Sequence, residues 1–331
     1  MDLLKVEDLK MHFPVHGGIL YRQIATVFAV DGVNFSIEPG KTLGLVGESG
    51  CGKSVTSMSI MRLLPRPSGH IRGGEILFHG EDLTKKPIDQ MYKIRGKKIA
   101  MIFQEPMTAL NPVHKVGQQI GEVFELHFPQ MKNNEVKDKS QELLEKVGIP
   151  DARRRLNEYP HQLSGGIRQR VMIAMALACE PDLLIADEPT TALDVTIQSQ
   201  ILRLIKDMQK EYGMGIIFIT HDLGVIAEVS DEVAVMYAGK VVEQASVFDI
   251  FKKPMHPYTK GLLSSIPRID HPSKTALSTI EGMVPDLFHL PKGCRFENRC
   301  DYSTDTCKEI SPDLEPRGEN HLVSCIYKGD L

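Results

Sequence analysis

The chain has 331 residues and 37.0 kDa, with 39 Lys and Arg against 43 Asp and Glu, 42% apolar residues and a pI about 6.3. That length makes one large or two modest domains, and the apolar share is enough to bury a sizeable core. The near-even charge excludes the basic field that nucleic-acid binding requires, so no nucleic-acid partner is expected.

No stretch reaches the ~18 consecutive apolar residues of a spanning helix. The longest candidate, VMIAMALAC at 171–179, reads as a buried core helix. The N-terminus MDLLKVEDLK carries acids where a secretory signal carries bases. A cytosolic chain is expected, whose membrane role comes through partners.

In chain order, the first 46 residues hold short β-type runs broken by Gly and Pro, ending in the strand TLGLV at 42–46. A strand IAMIF follows at 99–103. Polar, helix-favouring sequence runs from about 105 to 165, punctuated by Pro106, Pro112 and Pro129. Two further apolar strands are predicted, LLIA at 183–186 and IIFIT at 216–220. Between them Ile197, Ile201, Leu204, Ile205 and Met208 fall on one helical face, which Gly213 ends. Short apolar strands alternating with helices predict an α/β fold with a largely parallel sheet and helices on both faces. Past about 250, six prolines (Pro254, Pro257, Pro267, Pro272, Pro285 and Pro291) precede a cysteine-bearing tail, read as a separate appendage and not more of the sheet. The expected domains are 1–250 and 251–331.

GESGCGKS at 47–54 fits G-x-x-x-x-G-K-S/T, with a strand before it and a helix-compatible VTSMSIMRLL after it. Gly47, Gly50 and Gly52 let the backbone N–H groups of Glu48, Ser49, Cys51 and their neighbours turn inward around phosphate at a helix N-terminus. Lys53 can reach the β- and γ-phosphates of ATP, and Ser54 can ligate Mg2+. Cys51 contributes only its backbone, and Val55 opens the helix. LLIADE at 183–188 is a buried strand ending in two carboxylates. Asp187 would hold Mg2+ and Glu188 would polarise the attacking water.

LSGGIRQR at 163–170 names a family. With Ile167 where glutamine is commonest, it resembles the LSGGQ-type motif of ABC ATPases. Gln104 after IAMIF is similar to that family's Q-loop glutamine and a further Mg2+ contact. ALD at 192–194 is similar to the D-loop, and His221 after IIFIT to the switch histidine. Independently of the family, Ser164 reads as an N-cap. Its hydroxyl, the Gly165 and Gly166 amides and the helix dipole make a second anion site.

The resemblance covers roughly residues 1–250 and implies a P-loop NTPase core with an antiparallel β subdomain and a helical subdomain at about 105–165. It implies two subunits stacked head to tail. Ser164, Gly165, Gly166 and Asp194 of one would then cap the ATP on the other's phosphate loop. Catalysis would rest on Glu188, His221 and Gln104. It also implies an aromatic stacked on adenine, for which Phe13 fits best by order and Tyr21 is the rival.

MHPYTKGLLSSIPR at 255–268 and PKGCRFENRC at 291–300 resemble the ATPase subunits of bacterial and archaeal oligopeptide and dipeptide importers, a group with nickel-importing relatives. Four cysteines, Cys294, Cys300, Cys307 and Cys325, run C-x5-C-x6-C-x17-C, wider than the pairs of a zinc ribbon. Four thiolates can hold a 4Fe-4S cluster, and some members of the group are similar in this. Zinc, free thiols and disulfides stay open as alternatives.

The reading is therefore an ATP-hydrolysing subunit of a peptide importer at the cytoplasmic face of the membrane. A nickel importer, an exporter or a soluble non-transport ABC protein are the rivals. The expected partners are two integral-membrane permease subunits, a second ATPase subunit of the same or another kind and, indirectly, an extracytoplasmic substrate-binding protein. The segment EPMTALNPVHKVGQQIGE after Gln104 is expected to contact the permeases, presenting Met107 and Leu110.

Overall fold

A computed structural model describes residues 2–17, 22–65, 69–191, 193–266 and 279–329. Tyr21 and Ala192 lie outside them, as do Pro267 and Pro272. The chain divides into two compact units.

The first unit comprises Ile37–Lys41 and Lys85–Phe218. Its strands lie in the order Gly215–Ile219, Leu183–Asp187, Ile99–Ile102, and every residue of all three is buried. Continuous apolar runs of this kind belong to a sheet covered on both faces. Leu183–Asp187 pairs parallel with Ile99–Ile102, with Ile102 opposite Ala186. The helical segment contributes Val116–His127 and Asn133–Lys146, followed by Gly165–Leu177, which buries Val171, Met172, Ile173, Ala174, Ala176 and Leu177. The helix Val195–Tyr212 buries Ile201, Ile205 and Met208 and ends at Gly213 with φ 66°, a left-handed turn that costs glycine least. Leu110 is 2% exposed, so it faces the core and not a partner. Val113 of the same segment is exposed, at 72%.

The second unit comprises Asp2–Ser36, Thr42–Thr84 and Ile219–Leu331. Its four-stranded sheet has the order Arg22–Ile37, Leu4–Gly17, Ile71–Phe78, Glu81–Asp82. The first two strands span 14 and 16 residues in the structure, longer than Gly and Pro suggested. The register shifts between Glu7 and Lys10, where Asp8 takes φ 46°, as at a β-bulge that bends the strand while it continues.

The other strands of this unit lie in the order Glu315–Gly318, His321–Val323, Lys240–Ser246, Glu232–Tyr237, Thr42–Val46. Here the structure departs from the expectation of a tail apart from the sheet. His321–Val323 pairs antiparallel with Lys240–Ser246, with Glu243 opposite Val323. The tail hairpin thus covers an edge that would otherwise present unpaired N–H and C=O groups. Among the described residues no helix is long and apolar enough to cross a membrane.

Candidate functional site

In the second unit, Thr42–Val46 pairs parallel with Glu232–Tyr237 and runs straight into Gly47. A Cβ at Gly47, whose φ is 151°, would lie 2.2 Å from the Met236 carbonyl oxygen. One at Gly52, φ 108°, would lie 2.3 Å from the Ala29 carbonyl oxygen. Both positions therefore exclude any side chain, and the loop between them is pressed onto the backbone beneath. Gly50, φ 79°, meets nothing within 4 Å, so it is needed for its conformation alone.

The helix Lys53–Met61 follows with Gly52 at its N-cap and no side-chain cap bond. Lys53 is 6% exposed, and its ammonium donates to the carbonyls of Gly47 at 2.7 Å and Glu48 at 3.1 Å. A glycine cradle, an uncapped helix N-terminus and a lysine folded over the loop together fit a polyphosphate. Burial raises the Cys51 thiol above its ordinary value, in keeping with a purely backbone role. Ser54 and Val55 are half-buried in the first turn, and Ser49 is exposed. Phe13 is half-buried on Leu4–Gly17. His221 is exposed, just ahead of Asp222, which accepts from the Gly224 N–H at 2.8 Å and caps Leu223–Val229.

In the first unit, the parallel register of Ile102 with Ala186 brings the next residues of both strands to one end. The Gln104 amide donates to the Glu188 carboxylate at 3.1 Å, and the Thr191 hydroxyl donates to it at 2.9 Å. Glu188 has φ 47°, a left-handed conformation unusual for glutamate and a sign of a constrained turn. Asp187, before it, is 4% exposed.

Ser164 occupies the N-cap of Gly165–Leu177 but makes no side-chain cap bond, contrary to the expectation of a capping hydroxyl. Gly165 is exposed beside it. A Cβ at Gly166 would lie 3.1 Å from Ile197, so this turn packs on the helix that Asp194 caps by accepting from the Ile197 N–H at 3.0 Å.

Residues 30–191 match the ABC transporter family model, and residues 242–307 match the oligopeptide/dipeptide transporter C-terminal region. The dipeptide transport ATP-binding protein of Bacillus subtilis is 51% identical over 98% of this chain and 94% of its own. The oligopeptide transport ATP-binding protein of the same organism is 52% identical over 97% of this chain and 87% of its own. The chain belongs to the ATP-binding subunits of ABC transporters.

Among solved structures, a dimeric ATP-binding cassette in a post-hydrolysis state, bound to ADP and Pi, superposes with a TM-score of 0.65. It is 26% identical and covers 74% of this chain and 98% of that chain. The cassette called cbiO1 from Clostridium perfringens gives 0.60 at 29% identity, covering 76% of this chain and 90% of that chain. This ABC subunit is an ATPase of α/β fold, with the antiparallel sheet and helices that its family implies.

One expectation is overturned. No group of three or more His, Cys, Asp or Glu side chains among the described residues is placed to hold a metal ion. Cys294, Cys300, Cys307 and Cys325 are free thiols, so the 4Fe-4S assignment is withdrawn. Cys294 and Cys307 are neighbours, since the Cys294 N–H donates to the Cys307 carbonyl at 2.8 Å. Burial raises the thiols of Cys294 and Cys325 and pushes Cys300 up to about 11.

The order that a cluster was expected to supply comes from elsewhere. Arg295 pairs with Asp31 and donates to the Ala238 carbonyl at 2.5 Å. Phe296, 3% exposed, packs edge-on to Tyr237 at 5.2 Å.

Two tail residues that the sequence did not single out reach the phosphate loop. The Tyr258 hydroxyl accepts from the Glu48 N–H at 2.9 Å, and the Arg299 guanidinium holds the Glu48 carboxylate at 2.7 and 3.0 Å. Their partner is distant in sequence, and no local spacing marks them.

Proposed function

We propose that this chain powers a peptide importer from the cytoplasmic face of the membrane, binding MgATP at Gly47–Ser54 and hydrolysing it with Glu188 as the group that polarises water. The observation that carries the reading is Glu188 itself. It stands at the end of a fully buried strand, in a strained turn, with its carboxylate oriented by Gln104 and Thr191.

The role division follows from chemistry. Lys53 would neutralise the β- and γ-phosphates, and Ser54, Asp187 and Gln104 are the residues that would hold Mg2+. When bound, the ion would spread the charge that develops on the transferred phosphoryl group. His221 would contact the γ-phosphate, and Phe13 would serve as the adenine platform. Ser164, Gly165, Gly166 and Asp194 would act on the nucleotide of a second ATPase subunit. The exposed hydroxyl at Ser164, free of capping duty, suits that task.

Two permease subunits and an extracytoplasmic binding protein complete the assembly. Peptide as the cargo rests on the C-terminal match and on relatives named for dipeptide transport, oligopeptide transport and peptide import. The arrangement of two domains, 1–250 for hydrolysis and 251–331 as the tail, belongs to the same proposal.

Glu188→Gln keeps the shape of the side chain and removes its basicity. Steady-state turnover should fall by ~10²–10⁴-fold while nucleotide affinity stays within about twofold. Turnover close to that of the parent protein would refute the assignment.

A further inference from the structure

The phosphate loop contains a carboxylate. Glu48 follows Gly47 directly, in the loop read above as the phosphate cradle, and its charge has the same sign as the ligand. Carboxylate and polyphosphate brought into one loop repel each other unless a cation intervenes. Lys53 cannot serve both, because it is the cation the phosphates themselves require.

The structure supplies a second cation from the tail. Both terminal nitrogens of Arg299 donate to the Glu48 carboxylate, Nη1 to Oε2 at 2.7 Å and Nη2 to Oε1 at 3.0 Å. This is the two-pronged geometry that lysine cannot reproduce. The arginine side chain is 4% exposed and the glutamate side chain 28%, so solvent screens the pair little.

The guanidinium is also built into its place. Its Nε donates to the Glu281 carbonyl at 3.0 Å and its Nη2 to the Ile280 carbonyl at 3.2 Å. The rings of Tyr237 and Phe296 lie 5.8 and 5.9 Å from the guanidinium carbon. Its pKa is raised further, chiefly by the hydrogen bonds to Glu48.

Glu48 is gripped at two other atoms. Its N–H donates to the hydroxyl of Tyr258, a residue with 0% exposure, and its carbonyl accepts from Lys53. The same residue is thus fixed through carboxylate, N–H and C=O at once.

We propose that Arg299 is a positioning residue for nucleotide binding: it neutralises Glu48 and, with Tyr258, holds the first turn of the phosphate loop open to polyphosphate. The inference rests on the nucleotide-site reading above and extends it. The C-terminal region of this subunit becomes a part of the ATP site's framework. Without Arg299, the Glu48 carboxylate is released to compete with phosphate for Lys53 and for the loop's N–H groups.

The test is equilibrium binding of mant-ATP with Mg2+ to the full chain, with thermal melting recorded for each variant. Arg299→Ala should weaken binding about tenfold, the order expected when one charge beside a polyphosphate loses its counter-ion. Arg299→Lys should lie between, since it keeps the charge and loses the fork. The deciding variant adds Glu48→Gln to each of these. Removing the carboxylate should restore affinity to within about threefold of the parent, which loss of tail packing alone would not allow.

The proposal is overturned if Arg299→Ala and Arg299→Lys both bind as tightly as the parent with melting unchanged. It is equally overturned if the double variants bind no better than the singles. Should Arg299→Ala not fold, the Arg299→Lys pair carries the same comparison. Lys53→Ala is measured alongside. If it too binds like the parent, the nucleotide-site reading is at fault and not the Arg299 contact.

Discussion

The phosphate loop and the cysteine-bearing tail lie in one compact unit and are shaped by opposite means. At 47–54 the shape comes from backbone: two glycines whose missing Cβ atoms let carbonyls approach, and a lysine that folds back over its own loop. In the tail the shape comes from side chains with distant partners, Arg295 on Asp31 across 264 positions and Arg299 on Glu48 across 251. The difference teaches where a spacing can be trusted. A spacing whose meaning is local carries over to structure. A spacing such as C-x5-C-x6-C-x17-C, whose meaning depends on how the intervening chain folds, does not.

The comparison breaks most sharply at Gly47. Gly47→Ala places a methyl group 2.2 Å from the Met236 carbonyl oxygen at φ 151°. The loop has to leave its path, and nucleotide binding should be lost by at least ~100-fold. Unimpaired binding of nucleotide would mean that the loop is not held by this contact.

A pH titration sharpens the tail side. His256 is 1% exposed, its Nδ1 accepts from the Tyr258 N–H at 3.1 Å, and burial lowers its pKa to about 4. The unfolded chain therefore binds this proton near pH 6.5 and the folded one only near 4. The stability contributed by neutral His256 is full above 6.5 and declines as pH falls through that window, by up to about 3 kcal/mol. Urea denaturation of the parent and of His256→Gln, compared between pH 7.5 and 5, should show the larger loss of stability toward pH 5 in the parent. Equal losses would remove His256 as the cause.

A smaller effect separates side-chain pairing from cysteine ligation. Arg295→Ala leaves Asp31 without its guanidinium and should cost about 2 kcal/mol. Cys300→Ser, with no metal to lose, should cost under about 1 kcal/mol. Anaerobically purified protein should carry no stoichiometric iron. A Cys300→Ser variant that sheds metal and loosens the tail more than Arg295→Ala would reverse the comparison.

Much of the first unit was legible in the sequence because its buried strands are continuous apolar runs. LLIA and IIFIT needed only an added residue or a one-residue shift to match Leu183–Asp187 and Gly215–Ile219. The helix ending at Gly213 was readable from period and terminator together. The Gln104–Glu188 hydrogen bond was not, since it depends on the register of two strands, which no single segment encodes. Leu110 was misjudged because an apolar residue beside prolines reads the same whether it faces the core or a partner. The tail hairpin was missed because His321–Val323 is only three residues long, too short for alternation to register.

Direct binding of mant-ATP to the parent chain and to Lys53→Ala, with Mg2+ present, tests the central assignment. The Lys53 side chain folds over the glycine cradle. Its removal should weaken binding by at least ~100-fold with melting in the absence of nucleotide unchanged. Equal affinity for the two proteins would place the nucleotide somewhere other than Gly47–Ser54.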